Sequence, residues 1–353
     1  MALLTVICPC YNQEKFIQQT LEGFVRQKTD FDFIVLAGDD ASTDGTADIV
    51  RQYGEKYPNI IKPVLRTENV GAACNARDLY QQATTKYLAI CEGDDYWTDE
   101  RKLQKQVDFM EANPGCSVCF HPVAVWNESE GSRKGIFPEP ATRFNKLSLT
   151  LGDLLRHNFI QTNSVVYRWR FRENDPELKA FVNSDMQPAD YVLNLLHAET
   201  GTVECLDEVM AVYRRHAGGM WAGASAADEW FLKYGLPFLN FQAFKEKHFN
   251  FPQPEIARKT ALGLMAAALT ARDFTLLGRL AADHPAVYDQ AAADVKKHGV
   301  LAEKSGLWRE GLKWVRWRYL LLTRLTWGRK RVRYRQKLSE TETLLKPPAP
   351  ESK

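Results

Sequence analysis

The chain has 353 residues, of which 45% are hydrophobic and 25% are charged, with a formal net charge of +2. This composition is that of an ordinary globular protein, and the length allows one large domain and a smaller one. The overall charge indicates no particular class of partner, and no apolar run approaches the ~20 residues that a bilayer-spanning helix needs.

The termini and cysteines indicate a cytoplasmic protein. The N-terminal sequence M-A-L-L-T-V-I-C-P lacks the charged leader and the long apolar core of a secretory signal. The seven cysteines are odd in number and scattered, which is typical of reduced thiols. Cys116 and Cys119 form a C-x-x-C, but no second pair completes a zinc set. Core packing is therefore their expected role.

The first hundred residues alternate short apolar runs with helical patterns. Predicted strands cover residues 3–8, 31–37, 60–65 and 87–91. Predicted helices cover residues 13–27, 44–57, 71–83 and 101–110. Strands that alternate with helices predict the α/β class, with a mostly parallel, doubly wound sheet and right-handed crossovers.

The alternation loosens beyond residue 116. We predict strands at residues 117–126, 160–168, 202–206 and 208–213, helices at 150–157 and 189–199, and a polar loop at 127–143. The pattern is helical from residue 230. The predicted organisation is a catalytic domain (1–229), a helical extension (230–300), a basic amphipathic helix (301–338) and a disordered tail (339–353).

The chain is organised around the E-G-D-D sequence of residues 92–95. The apolar strand at 87–91 runs directly into Glu92, Asp94 and Asp95, and open α/β sheets bind ligands at the carboxyl ends of their strands. Three carboxylates within four residues repel one another unless a cation lies among them. Hard oxygen ligands suit Mg²⁺ or Mn²⁺, which share such sites with phosphates. A solvated acidic turn is the alternative.

A second predicted strand also ends in carboxylates, Asp39 and Asp40. We expect the two acidic strand ends to lie near each other, the first recognising a nucleoside and the second a metal-bound diphosphate. A carboxylate accepts hydrogen bonds from a pyrimidine imide or from ribose hydroxyls, and Tyr11 can stack on or flank the base. The alternative is a turn-and-cap cluster, which is the role expected of Asp44.

Four segments carry a family resemblance in their order and spacing: P-C-Y-N-Q-E-K-F-I, D-D-A-S-T-D-G-T, E-N-V-G and E-G-D-D-Y-W-T-D. They resemble the signature segments of glycosyltransferase family 2, over roughly the first two-thirds of the chain. The resemblance implies the GT-A fold and the transfer of a sugar, with inversion, from a nucleotide-sugar donor. The family's metal motif is often D-x-D, and Glu92 stands at its first position here.

The resemblance also implies roles for individual residues. Asp39 is expected to face the base, Asp94 the ribose, and Asp95 both the metal and the diphosphate. UDP is the implied nucleotide, with GDP and dTDP as alternatives. For Arg77 a surface salt bridge is the alternative to a nucleotide contact. The candidate nucleotide-sugar contacts are Pro9, Tyr11, Asp39, Arg77 and Asp94, and the candidate ligands of Mg²⁺ or Mn²⁺ are Asp95 and His216.

A further resemblance lies in P-A-D-Y at residues 188–191 and Y-R-R-H at 213–216. In this family an acidic residue before such a helix supplies the catalytic base, which makes Asp190 the candidate and Asp185 the reserve. Helix capping is the alternative role, and it is compatible with catalysis. His216 precedes a glycine-rich loop that can close over the diphosphate, where a neutral imidazole ligates metal and a protonated one pairs with phosphate. A purely structural histidine is the alternative.

Three functions remain as hypotheses. The first is an inverting transferase that acts on a hydroxyl of a glycan or lipid-linked acceptor, with a protein acceptor as the alternative. The second is a nucleotide-sugar-binding module without turnover, but a binding module needs no base such as Asp190. The third is a sugar nucleotidyltransferase, a class that usually shows a basic, glycine-rich loop after the first strand, where this chain has P-C-Y-N.

Residues 306–338 are basic and rich in tryptophan. Apolar residues recur at alternating steps of four and three, which predicts one helical stripe. The stripe consists of Trp308, Leu312, Val315, Tyr319 and Leu322. Tryptophan favours the membrane interface and arginine favours anionic headgroups, while the charges prevent spanning. We predict peripheral contact with the inner face of the cytoplasmic membrane; packing on the catalytic domain and a nucleic-acid patch are the alternatives.

Overall fold

The structure is a computed structural model that describes residues 2–138, 149–171, 175–219 and 227–298. The chain divides into two compact units, Met1–Ala222 and Gly223–Lys353. The predicted basic helix at 301–338 and the predicted tail at 339–353 lie outside the described residues.

The first unit mixes strands and helices. Its strands are β1 (Leu4–Cys10), β2 (Phe33–Asp39), β3 (Ile61–Leu65), β4 (Tyr87–Ile90), β5 (Tyr96–Trp97), β6 (Cys116–Phe120), β7 (Val123–Asn127), β8 (Ser132–Phe137), β9 (Val166–Arg168), β10 (Thr202–Cys205) and β11 (Ala211–Arg215). Its helices are α1 (Ile17–Val25), α2 (Thr46–Lys56), α3 (Ala72–Gln81), α4 (Lys102–Ala112), α5 (Leu151–Arg156), α6 (Pro176–Val182) and α7 (Ala189–Ala198), with a 3-10 turn at Thr162–Ser164.

Seven strands form the main sheet, in the order β10-β6-β9-β4-β1-β2-β3. The four strands from β4 to β3 run parallel, whereas β9 is antiparallel to both β4 and β6. The chain moves from β1 outward to β2 and β3 and then returns to β4 on the other side of β1. Such a reversal opens a crevice at the carboxyl ends of the strands. The predicted α/β class with a mostly parallel sheet is confirmed.

The first βα unit shows why these elements form. β1 is buried over nearly its whole length, as a strand covered on both faces must be. The helix that follows places Ile17, Leu21 and Phe24 at helical spacing, and all three are fully buried in the core of the unit. Burying each of these side chains contributes roughly 1.5–3 kcal/mol, so the apolar pattern fixes which face of α1 meets the sheet.

A second sheet has the order β5-β11-β7-β8 and corrects two predictions. The single strand predicted at 117–126 is wrong, because β6 and β7 belong to different sheets and are separated by His121 and Pro122. Pro122 has no amide N–H to continue the ladder. The polar loop predicted at 127–143 is also wrong, because it contains β8, an edge strand that is exposed along most of its length. An edge strand needs no apolar pattern.

The second unit is helical in the residues described. Its helices are α8 (Ala227–Phe249), α9 (Pro254–Ala271), α10 (Phe274–Asp283) and α11 (Pro285–His298). Leu264, Met265 and Leu280 are fully buried in its own core. The predicted C-terminal helical extension is confirmed. Among the residues that the structure places, no helix is long and apolar enough to cross a membrane.

Candidate functional site

The ends of β1, β2 and β4 meet at one edge of the main sheet. β1 lies between the other two, with Cys10 opposite Asp39 and Ile7 opposite Ile90. Neighbouring strands are about 4.8 Å apart, so the two acidic strand ends are separated by about two strand spacings, ~10 Å. The carbonyl of Pro9 accepts a hydrogen bond from the Gly93 amide at 3.1 Å. The acidic turn at residues 92–95 therefore lies directly on the end of β1.

Gly93 allows this close approach. A Cβ atom at Gly93 would lie 2.4 Å from Oε1 of Gln13 and 2.7 Å from Cβ of Cys10. The Thr20 hydroxyl lies 2.9 Å from the Gly93 carbonyl oxygen and 2.5 Å from the Asp95 carbonyl oxygen. The Thr20 hydroxyl on α1 thus lies between two carbonyls of the turn, and the close contacts with Gln13 and Cys10 require glycine at position 93.

The carboxyl groups of the acidic turn are crowded. Asp95 is only 2% exposed, and burial, together with the charges of Asp94 and Glu92, holds its pKa well above the usual range. Burial and the charge of Asp94 raise the pKa of Glu92 to about 8. Oε2 of Glu92 is buried and has no hydrogen-bond partner among the described residues. Carboxylate oxygens are the ligands that a hard divalent cation prefers, and such an ion near them would offset their repulsion.

Arg214 on β11 contacts both aspartates of the acidic turn. Its backbone N–H donates to Oδ1 of Asp95 at 2.8 Å, and its guanidinium donates to the carbonyl oxygen of Asp94 at 2.6 Å. The same guanidinium lies over the rings of Phe16 and Tyr96, at 5.0 and 4.4 Å from their centroids. Arg214 lies in the Y-R-R-H segment, but no pattern in the sequence distinguishes it from its neighbours.

His216 faces the same turn from two residues further along. Its Nε2 lies 3.0 Å from Oδ2 of Asp94, and its ring contacts Phe16 with the centroids 4.7 Å apart. The structure therefore places His216 against Asp94, the residue before Asp95. An imidazole in this position can share a proton with Asp94 or join the carboxylates around a cation.

Asp39 and Asp40 are each 1% exposed at the end of β2. Asp39 accepts hydrogen bonds from the amide and the hydroxyl of Ser42, at 3.0 and 2.5 Å. Asp40 accepts from the amides of Val70 and Gly71, each at 2.8 Å. Asp40 is thus tied to the turn before α3. A carboxylate has about four acceptor positions, so Asp39 can still accept a hydrogen bond from a base.

Arg77 and Tyr11 differ in their surroundings. Tyr11 is 42% exposed just after β1, where its ring can flank a base. Arg77 is only 7% exposed, its Nε has no partner among the described residues, and no salt bridge to a described residue involves it. Burial raises the pKa of Tyr80, the charges of Glu92 and Asp190 raise it further, and that of Arg77 lowers it. A buried cation with no ion pair in the described part of the chain therefore lies near the same phenol as two carboxyl groups.

Asp190 stands in the first turn of α7, after Pro188 as the N-cap residue. It is partly buried, whereas the reserve candidate Asp185 is exposed. Oδ2 of Asp190 accepts a hydrogen bond from the Thr162 hydroxyl at 3.0 Å. Burial raises the pKa of Asp190, the direction that suits a general base. Its charge also raises the pKa of Glu92, so it acts close to the acidic turn.

Comparison with known proteins matches a family to the part of the chain that carries the two acidic strand ends; Asp190, Arg214 and His216 lie beyond the matched residues. Residues 5–178 match the model of Glycosyl transferase family 2. An uncharacterized protein of Mycobacterium tuberculosis is 43% identical over 221 residues, which are 63% of this chain and 61% of that protein. A Bacillus subtilis protein named as a teichuronic acid biosynthesis glycosyltransferase is 29% identical over 243 residues, 68% of this chain and 90% of that protein.

Among the solved structures that match, TarS from S. aureus shares the fold. The crystal structure of TarS from S. aureus matches with a TM-score of 0.50 over 86% of this chain and 55% of that chain. The sequence identity is 18%, so this likeness concerns the fold alone.

Proposed function

Because the chain belongs to glycosyl transferase family 2 through residues 5–178, we propose that it transfers a sugar from a nucleotide-sugar donor to an acceptor hydroxyl, with inversion. One observation carries the proposal. At the edge of the sheet where β1, β2 and β4 end, a crowded carboxyl cluster lies beside a base candidate with a raised pKa. A module that only binds a nucleotide-sugar has no need of the second feature.

The donor nucleotide is assigned to the ends of β1, β2 and β4. Pro9 and Tyr11 flank the base, and Asp39 accepts a hydrogen bond from it, while Asp94 contacts the ribose. Arg77 is assigned to the diphosphate, because a buried cation with no ion-pair partner among the described residues gains most from an anionic ligand. UDP is the proposed nucleotide, and GDP and dTDP are the alternatives that an experiment must separate.

A divalent cation, Mg²⁺ or Mn²⁺, is assigned to Asp95 and His216. Support comes from the donor set: a buried carboxylate with a raised pKa, a neighbouring imidazole that contacts Asp94, and the unpartnered Oε2 of Glu92. When bound, such an ion would neutralise the diphosphate and stabilise the charge of the departing nucleotide.

Asp190 is the proposed general base. It removes the proton from the acceptor hydroxyl as that oxygen attacks the anomeric carbon on the face opposite the nucleotide. The new carbon–oxygen bond forms while the bond to the diphosphate oxygen breaks, so the configuration inverts without a covalent sugar–enzyme intermediate. A positioned base contributes ~10²–10⁴-fold to the rate. Arg77 remains beside the diphosphate as its negative charge develops.

A cell-envelope glycan or a lipid-linked glycan is the proposed acceptor class. The Bacillus subtilis relative named for teichuronic acid biosynthesis supports this class. The predicted basic helix within 306–338 would bring the enzyme to a lipid-linked acceptor at an anionic membrane. Flotation with anionic liposomes tests this, comparing the full chain with one that ends at Lys304. Only the full chain should float; equal flotation of both, or of neither at low salt, would contradict the membrane role.

The proposed activity is tested with a panel of nucleotide-sugars, supplemented with Mg²⁺ or Mn²⁺ and assayed for release of nucleoside diphosphate. One donor should support release that depends on the metal. Asp190→Asn keeps the shape of the side chain and removes its basicity, so turnover should collapse while donor binding persists. If Asp190→Asn instead weakens donor binding with little loss of turnover, the assignment of the base moves to Asp185.

A further inference from the structure

We propose that Thr162 is a positioning residue for the base, with a hydroxyl that sets the orientation of the Asp190 carboxylate toward the acceptor. This inference rests on the proposed function, in which Asp190 is the base. The Thr162 hydroxyl donates to Oδ2 of Asp190 at 3.0 Å, and Thr162 is 9% exposed. A carboxylate at the start of a helix rotates about its terminal torsion. A fixed donor at one oxygen limits that rotation and turns the other oxygen in a defined direction.

The turn that carries Thr162 is tied to the strands beside the acidic turn. Asn163, the next residue, donates through its side-chain amide to the carbonyl of Val212 at 2.9 Å. The Asn163 carbonyl accepts a hydrogen bond from Nε1 of Trp97, also at 2.9 Å. Trp97 and Val212 belong to β5 and β11, which pair with each other. The Thr162 hydroxyl, which contacts the proposed catalytic base Asp190, is thus held in a fixed position relative to the strands β5 and β11 beside the acidic turn.

The titratable groups around Asp190 come from several elements. They are Glu92 after β4, Tyr80 on α3, Tyr167 on β9 and Tyr191 on α7. Burial raises the pKa of each tyrosine, and the charge of Asp190 adds to the increase, so all three stay neutral at ordinary assay pH. Burial raises the pKa of Asp190, and the hydrogen bond from Thr162 opposes that rise. Removing the hydroxyl should therefore raise the pKa of Asp190 further.

Two substitutions separate the hydroxyl from the bulk of the side chain. Thr162→Val removes the hydroxyl and keeps the volume, while Thr162→Ser keeps the hydroxyl. We expect Thr162→Val to lower kcat about 10- to 100-fold, the range for losing one hydrogen bond to a charged group. The Thr162 hydroxyl also lowers the pKa of Glu92 through a hydrogen bond, so donor KM is measured beside kcat, and a positioning role for the catalytic base predicts that the fall in kcat exceeds any rise in donor KM. The acid limb of the kcat–pH profile should move to higher pH, and Thr162→Ser should restore both kcat and the profile.

Thr260→Val is the matched control. Thr260 is 6% exposed, and its hydroxyl donates to the Ile256 carbonyl at 2.9 Å within α9 of the second unit. It should keep the wild-type kcat. Thermal unfolding of each variant detects loss of folded protein. If Thr162→Val does not fold, Thr162→Ser provides the test, and the kcat of Thr162→Ser should stay near that of the wild type.

Two results would overturn the inference: a folded Thr162→Val enzyme with an unchanged kcat and pH profile, or a Thr162→Ser enzyme as impaired as Thr162→Val. The proposed function would still stand after either result, provided that Asp190→Asn abolishes sugar transfer. Failure of the proposed function has a different signature, because no nucleotide-sugar would then support release by the wild-type enzyme.

Discussion

Two strand ends of the same sheet share one sequence signal, an apolar strand that runs into carboxylates, but they differ in how those carboxylates are satisfied. At the end of β2, Asp39 and Asp40 are buried, and each accepts two hydrogen bonds. At the end of β4, the carboxyls of Glu92, Asp94 and Asp95 crowd one another, and the pKa values of Glu92 and Asp95 are raised.

The hydrogen-bond donors that already contact a carboxylate therefore determine which ligand it can still bind. A carboxylate that already holds backbone amides stabilises a loop and offers its remaining acceptor positions to a neutral partner such as a base. Crowded carboxylates with an unpaired buried oxygen need a cation. We therefore expect the β4 end to respond to metal and the β2 end to respond to the base of the nucleotide.

The largest effect should come from breaking the β4 end. Asp95→Ala removes the proposed metal and diphosphate ligand, so transfer should fall by at least about 10³-fold, as the loss of several kcal/mol of charge stabilisation implies. The fold should persist, because the substitution removes a buried carboxyl whose pKa is already raised. Steady-state kinetics and thermal unfolding measure the two effects. Full activity in a folded Asp95→Ala enzyme would remove the assignment of the site.

A smaller effect, on metal affinity, should follow from weakening the contacts that Arg214 makes with the acidic turn at residues 92–95. Arg214→Lys keeps the charge, but an ammonium group cannot bond Asp94 and stack on Phe16 and Tyr96 as the guanidinium does. We expect the apparent affinity for Mn²⁺ to fall about tenfold, the effect of losing about 1.4 kcal/mol, as measured by metal titration of the rate and by calorimetry. Arg215→Lys is the control, since the side chain of Arg215, next to Arg214 in the sequence, is exposed. Equal metal affinity in both variants would contradict the role of Arg214.

Breaking the β2 end at Asp40 should cost stability more than chemistry. Asp40→Ala leaves the amides of Val70 and Gly71 without their carboxylate partner. The free energy of unfolding should fall by about 1–3 kcal/mol, measured by urea denaturation. The residual activity should keep the metal dependence of the wild type. A change in that dependence would show that the two strand ends are not as distinct as we argue.

The smallest effect concerns pH and a buried lysine in the sequence that follows β4. Lys102 is fully buried, its Nζ donates to Gln106 at 2.7 Å, and burial lowers its pKa to about 7 from 10.5. The unfolded chain therefore binds a proton above pH 7 that the folded chain has released, so this group makes stability rise with pH. The slope is at most about 1.4 kcal/mol per pH unit.

Lys102→Met should remove that slope. The measurement covers about pH 7 to 8.5. Above this range the cysteines of the unfolded chain ionise, while burial keeps thiols such as Cys8 protonated in the folded chain. The cysteines therefore make stability fall with pH, opposite to the effect of Lys102. Urea unfolding at several pH values compares the variant with the wild type. Identical slopes would show that Lys102 does not titrate in this range.

The sequence was sufficient for the GT-A fold class and for most residues at the sheet edge. Continuous apolar runs and the acids after them are local signals, and the matched family and fold confirm the class they indicate. β8 was missed because an exposed edge strand shows no apolar pattern. Arg214 and Thr162 were missed because their partners, 119 and 28 residues away, meet them only through tertiary packing.

In this account the β4 end binds the ribose and a divalent cation together with the diphosphate, while the β2 end binds the base. Calorimetric titration of UDP, with and without Mn²⁺, into the wild type, Asp95→Asn and Asp39→Asn tests it most directly. We predict that Mn²⁺ strengthens UDP binding to the wild type and to Asp39→Asn, although Asp39→Asn binds more weakly under both conditions. Asp95→Asn should lose the strengthening by Mn²⁺. If Asp95→Asn instead binds UDP with the same dependence on Mn²⁺ as the wild type, the division between the two strand ends is wrong.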